Sequence, residues 1–189
     1  MQHATFHTAA MLAEIRGWVE IESPATDASA VNRMVDHVAA AYRETGAGIE
    51  RIPGEAGYGD HLIARTTWGR ANRGILVLSH LDTVHPVGFI ERLPFSVDGD
   101  IAYGPGIYDM KAGAFLAFHA FREMDRRKQG GALPVTHLYV SDEEVGSPTS
   151  RKIIETDRDL VACATLGAVF PPVPNLGVER RRSNDAKDP

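Results

Sequence analysis

A single cysteine, Cys163, stands in a chain of 189 residues. No disulfide can form within it, so the fold must hold by packing and hydrogen bonds. The cysteine sits in the apolar run "LVACATLGAVF", which suits a small buried strand residue better than a reactive thiol. Long apolar runs are missing too. "GILVLSH" is far too short to cross a bilayer. The N-terminal "MQHATFHTAAMLAEIRGW" lacks the basic start and apolar centre of a secretory leader. A cytoplasmic location and no membrane partner are therefore expected. Positive charge is not in excess: net charge is −5, so nucleic acid is not an expected partner, since that would need a clustered basic face. Apolar residues still make up 43%, enough for one domain with a sizeable core.

What is present alternates between helical and strand patterns. "AAMLAEIRGWVEI" places Leu12, Ile15 and Val19 on one side of a helix. A second helix is predicted from about Ser29 to Thr45, stopped by Gly46 and Gly48. "GIERI", "HLIART" and "GILVLSH" read as strands, the last apolar throughout, as for a strand covered on both faces. A long loop comes next, with a hairpin at "VDGDIAYG". A helix is predicted from about Met110 to Arg127, ended by Gly130 and Gly131. "VTHLYVS" is another buried strand, "SPTSRKIIET" a short helix and "VACATLGAVF" a last strand. This order predicts an α/β fold: a mixed, mostly parallel sheet covered by helices on both faces. Residues 1–170 form the domain part; residues 171–189 read as an irregular basic tail, with Arg180 to Arg182 a solvated charge run.

Chemistry gathers where strands run out. "LVLSHLDT" delivers His80 and Asp82 at the end of a buried strand, two residues apart and so on the same face. "LYVSDEEVGS" does the same with Asp142, Glu143 and Glu144. Open α/β sheets place ligands beyond the carboxyl ends of their strands. Asp109 lies in the glycine-rich "YGPGIYDMKAG", just ahead of a helix. Such a loop often cradles phosphate. Here the sixth place of the glycine fingerprint is Asp109, and no Lys-Ser/Thr pair comes after it. A carboxylate repels phosphate and attracts a cation, which disfavours a nucleotide-binding module. Each feature alone has a plainer explanation: a strand-end histidine held by a hydrogen bond, or acids favoured at a helix start. Three such junctions together point to a divalent cation, with imidazole and carboxylates suiting zinc or an ion of similar taste.

In order and spacing, "SHLDTV", "YGPGIYDMKAG" and "SDEEVGSPTSR" resemble the zinc-dependent exopeptidase/deacylase superfamily. Its members include glutamate carboxypeptidase, acetylornithine deacetylase, succinyl-diaminopimelate desuccinylase and aminoacylase. "PFSVDGDIAYGPGIYDMKAG" is similar above all to the glutamate carboxypeptidase branch, and the resemblance covers about residues 9–170. It implies that His80, Asp109 and Glu144 bind metal, with Asp109 bridging two zinc ions; Co2+ or Mn2+ are the other candidates. It implies that Asp82 orients His80, that Glu143 is the general base, and that the peptide after Asp109 is cis. The implied activity is metal-dependent hydrolysis of an amide bond, on a peptide or a small acyl-amino acid.

The pattern departs from the resemblance after the last strand. An acidic ligand is expected there, but the chain reads "VFPPVP", with Pro171 at that place; Glu179 is the nearest later acid. A further ligand histidine belongs to a later part of the family's chain, beyond a domain through which many members form homodimers. His85, in "DTVHPVG", is the nearest other histidine and an unconvincing substitute. The expectation is thus the N-terminal part of a zinc-peptidase-like catalytic domain, incomplete and inactive on its own. The alternative is a non-catalytic module that binds metal weakly, or a partner chain.

Overall fold

The computed structural model describes residues 7–69, 74–127, 130–158 and 161–166. Five strands form the main sheet: β1 (Gly48–Ile52), β2 (His61–Arg65), β3 (Gly74–His80), β6 (Val135–Val140) and β7 (Val161–Leu166). A separate two-stranded hairpin, β4 (Ser96–Asp98) and β5 (Ile101–Tyr103), stands where "VDGDIAYG" predicts one. The main sheet runs in the order β1-β2-β6-β3-β7. It is mixed: β3 lies parallel to both β6 and β7, while β1–β2 and β2–β6 are antiparallel. A short connection joins β1 directly to β2, and a short connection can only turn a chain back antiparallel. Where α3 (Ala112–Arg126) crosses between β3 and β6, the chain has room to return parallel.

Alternation along the strands splits the core in two. Leu62 and Ala64 of β2 and Tyr139 of β6 join the larger cluster, with α1 (Thr8–Glu20), α2 (Ala28–Arg43) and α3. Ile63, Leu76, Leu138 and Val140 face the other way, against Ile153 and Ile154 of α4 (Ser150–Arg158). Helices therefore cover both faces of the sheet, and side chains on alternate residues reach opposite layers.

The helices obey their sequences. α2 starts where Asp27 accepts a hydrogen bond from the Ala30 amide at 3.0 Å, a standard N-cap arrangement. Its buried Val31, Met34, Val35, Val38 and Tyr42 recur every three or four residues, as an apolar stripe must. α1 buries Ile15, Trp18 and Val19. α1 and α3 are tied by a two-pronged ion pair, Glu14 with Arg122, at 2.7 and 2.8 Å. Between the layers, Tyr42 packs edge-on against Phe118 at 4.9 Å and Trp18 against Phe115 at 5.7 Å. Such ring pairs add roughly 0.5–1.5 kcal/mol beyond the area they bury.

One boundary moves in a way that matters. The helix predicted from Met110 begins at Ala112. Asp109 (φ −124°, ψ 97°) and Met110 (φ −133°, ψ 33°) are not helical. Instead Ile107–Lys111 makes a wide turn, closed by the Lys111 amide donating to Gly106 O at 2.9 Å. Periodicity extends the helix because Met110 and Lys111 are good helix formers; the turn is dictated by contacts beyond it. Cys163 lies on β7, while Pro171, Glu179 and the tail of residues 171–189 lie outside the described residues. No helix among the described residues is long and apolar enough to cross a membrane.

Candidate metal centre

β3 and β6 are neighbours and parallel, with His80 opposite Val140. Their carboxyl ends therefore open side by side, and the loops leaving the two strands meet. His80 closes β3, 5% exposed. Its Nε2 lies 3.0 Å from Asp109 Oδ1 and 3.8 Å from Glu143 Oε2. Its Nδ1 is 3.0 Å from the Asp82 carbonyl oxygen and 3.5 Å from the Asp82 carboxylate. The backbone amide of His80 donates to Met110 Sδ at 3.4 Å, a second link between the β3 end and the wide turn. The Asp109–Met110 peptide is cis.

One donor atom each from His80, Asp109 and Glu144 lies within 4.8 Å of the others. An imidazole nitrogen and two carboxylate oxygens at that spacing can share one ion. The electrostatics fit as well. Burial disfavours a charged His80 ring, but Asp82, Asp109 and Glu143 outweigh it and lift its pKa to about 9. Glu144 is pushed up by burial and by the neighbouring Asp109, Asp82 and Glu143, against the pull of His80. Acids crowded this closely want a cation between them.

Residues 76–180, more than half of the chain, match the profile of peptidase family M20/M25/M40. The chain belongs to this family. Carboxypeptidase G2 of Pseudomonas sp. (strain RS-16) is 32% identical over 161 residues, which is 84% of this chain and 38% of that protein. Succinyl-diaminopimelate desuccinylase of Corynebacterium glutamicum is 38% identical over 64 residues, 34% of this chain and 16% of that one. The chain thus spans well under half the length of these curated relatives. Among solved structures, human carnosine dipeptidase 1 superposes with a TM-score of 0.69 at 18% identity, over 81% of this chain and 36% of that one. An M20 family metallo-carboxypeptidase of Sulfolobus solfataricus gives 0.65 at 17%, over 79% and 34%. At these identities the structural likeness speaks for the fold.

The remaining acids of this M20/M25/M40 family member divide sharply by direction. Asp82 is fully buried, and its carboxylate accepts the backbone amides of Glu143, at 3.3 Å, and Glu144, at 2.9 Å. It therefore faces the loop after β6 as much as it faces His80. Asp142, beside the two glutamates in sequence, points inward instead. Its Oδ2 accepts Thr149 N at 2.6 Å, Thr149 Oγ1 at 2.7 Å and Ser150 N at 3.1 Å, which pins the loop to the start of α4. Burial opposes its charge, but these donors hold its pKa below the ordinary aspartate value. Glu143 remains half exposed at the mouth. His85 stacks on Phe89, 4.5 Å between ring centres, and is not part of the donor group.

Lys111 is the residue that sequence patterns do not single out. It is 1% exposed, and its ammonium donates to Ile21 O at 2.5 Å. Burial pulls its pKa down to about 8, opposed by Glu22. Its only signal in the sequence is a lysine in a predicted apolar helix start.

Proposed function

We propose that this chain supplies three of the metal ligands of an amide-bond hydrolase, with zinc as the ion and peptides or N-acyl amino acids as the substrate class. One observation carries the reading: His80, Asp109 and Glu144, from three separate strand and loop ends, bring their donor atoms within 4.8 Å. In this proposal those three residues are the ligands. Asp82 braces the His80 ring through Nδ1, so that Nε2 faces the ion. A bound zinc ion would supply Lewis acidity toward a substrate carbonyl and toward water. Glu143 stands beside His80 without belonging to the donor group. Its carboxylate is half exposed, free to take a proton from water and later return it to the leaving nitrogen.

The test separates ligand from base. Isothermal titration with zinc should show one ion bound, with affinity lowered about tenfold or more in His80→Ala and kept within about threefold in Glu143→Gln. Equal losses in the two variants would overturn the assignment of roles. Turnover is a further matter. Three donors among the described residues cannot saturate two four-coordinate ions that share a carboxylate. The 189-residue chain is therefore expected to hydrolyse N-acyl amino acids no faster than its Glu143→Gln variant. Chelator-sensitive turnover well above that control would show that the chain is sufficient by itself.

A further inference from the structure

The stretch after α1, "IESPA" at residues 21–25, carries no motif, yet it touches both the segment that carries His80 and the one that carries Asp109. On one flank, Ser23 Oγ donates to Leu81 O at 2.7 Å, Thr83 N donates to Ser23 O at 2.9 Å, and Ala25 N donates to Thr83 O at 3.1 Å. These bonds grip the backbone that carries His80 and Asp82. On the other flank, the Lys111 ammonium donates to Ile21 O, two residues from Asp109. Between them the Glu22 carboxylate accepts Gly88 N at 2.7 Å and Ile90 N at 2.8 Å, fixing the loop beyond Thr83. Ser23, Pro24, Ala25, Thr83 and Lys111 are all buried. Buried hydrogen bonds of this kind are short of alternatives, since water cannot replace a lost partner. The Lys111 charge meets the carbonyl end of α1, where cations are favoured.

We propose that Ile21–Ala25 is a positioning bracket that sets the separation of His80 from Asp109, with Ser23 and Lys111 as its two fasteners. The inference rests on the metal reading above and adds residues that touch neither ion nor substrate. Among the described residues, the segments of His80 and Asp109 also meet where Nε2 of His80 faces Asp109 Oδ1 at 3.0 Å, at the Met110 sulfur, and where Gly106 approaches Thr83. Loosening either fastener lets the two donors drift. The bracket predicts a loss of metal affinity from substitutions outside the donor set.

The experiment is zinc titration of the whole chain and of Lys111→Met and Ser23→Ala, well below each melting temperature, with cobalt absorption spectra as a readout of coordination geometry. Lys111→Met removes a buried charge and risks the fold; Ser23→Ala removes one hydroxyl and keeps the test alive if it does. A loss of about tenfold in affinity, with an altered cobalt spectrum, in either folded variant supports the bracket. A lower melting temperature with affinity and spectrum unchanged in the folded variants overturns it, because that is the signature of a structural role alone. If the parent chain binds no zinc, the metal reading falls and the bracket with it. If the parent binds and the folded variants match it, only the bracket falls.

Discussion

Consider Asp82 replaced by asparagine. The side chain is fully buried, and its two oxygens accept the amides of Glu143 and Glu144 at 3.3 and 2.9 Å. Asparagine has the same shape but only one acceptor oxygen. The shorter Glu144 bond should keep that oxygen. The amide nitrogen then faces the Glu143 N–H, donor against donor. A hydrogen bond to a charged acceptor contributes about 1.5–3 kcal/mol, and a buried donor left unpaired costs roughly 1–3 kcal/mol. The two losses overlap, so the expected destabilisation is about 2–4 kcal/mol. With a urea m-value of about 2 kcal/mol per molar, the midpoint should fall by about 1–2 M with the slope unchanged. Zinc affinity should fall about tenfold in the same variant, since the loop carrying Glu144 loses its anchor. Asp82→Ala, which removes both acceptors, should be worse on both counts. A midpoint shift worth less than about 0.5 kcal/mol in Asp82→Asn, within the ordinary scatter of surface changes, would refute the argument that this carboxylate holds the loop.

Three further outcomes are expected. Gly106 has φ +65°, and a methyl group there would sit 2.5 Å from Thr83 Cγ2, so Gly106→Ala should lose about 2 kcal/mol or more in urea unfolding; a neutral result would mean that the loop yields freely. Burial pulls His137 down to about 3, so it stays neutral in the folded chain while the unfolded ring protonates near 6.5. Only the unfolded state takes the proton between those values, so this contribution is whole above about pH 6.5 and shrinks as pH falls, by up to about 1.4 kcal/mol per unit. Urea titrations at pH 7 and pH 5 read the slope, and a His137→Gln chain with the same slope would refute the source. Phe118→Ala, at the meeting of Trp18, Tyr42 and Phe115, should cost about 3–5 kcal/mol, and a loss under about 1 kcal/mol would show that the aromatic layer closes over the gap.

Much of this is legible in the residues themselves. The apolar runs of β3 and β6 announce buried strands, and their polar endings announce the junctions where His80 and the 142–144 acids lie. Local patterns bring Asp142, Glu143 and Glu144 together, but do not say which way each points. Asp142 turns inward because Thr149 and Ser150 offer three donors seven and eight residues later, a tertiary fact. The family resemblance makes Asp82 a brace for His80; its bonds to the Glu143 and Glu144 amides span more than sixty positions and leave no periodic trace. The bracket at residues 21–25 is invisible for the same reason: two of its six bonds join backbone to backbone, and the other four each end on a backbone atom of a distant segment or of the bracket, which every residue has. The late start of α3 escapes pattern reading because helix propensity is a local average, while the turn at Ile107–Lys111 answers to Ile21 and Thr83.

The three donors sit at positions 80, 109 and 144, each on its own segment. In an open chain they are separated by loops of about thirty residues, and closing two such loops at once carries an entropic penalty that a single ion must overcome unaided. No neighbouring pair offers a partial chelate from which the others could be gathered. The ladder between β3 and β6 meets part of that penalty in advance by laying the ends that lead to His80 and Glu144 side by side. An ion taken up here would bind more tightly once the strands have paired, and would stabilise the finished chain by mass action. A molecule in which β6 has not yet docked would have to meet that closure penalty from the binding energy of the ion itself, and would hold it more weakly.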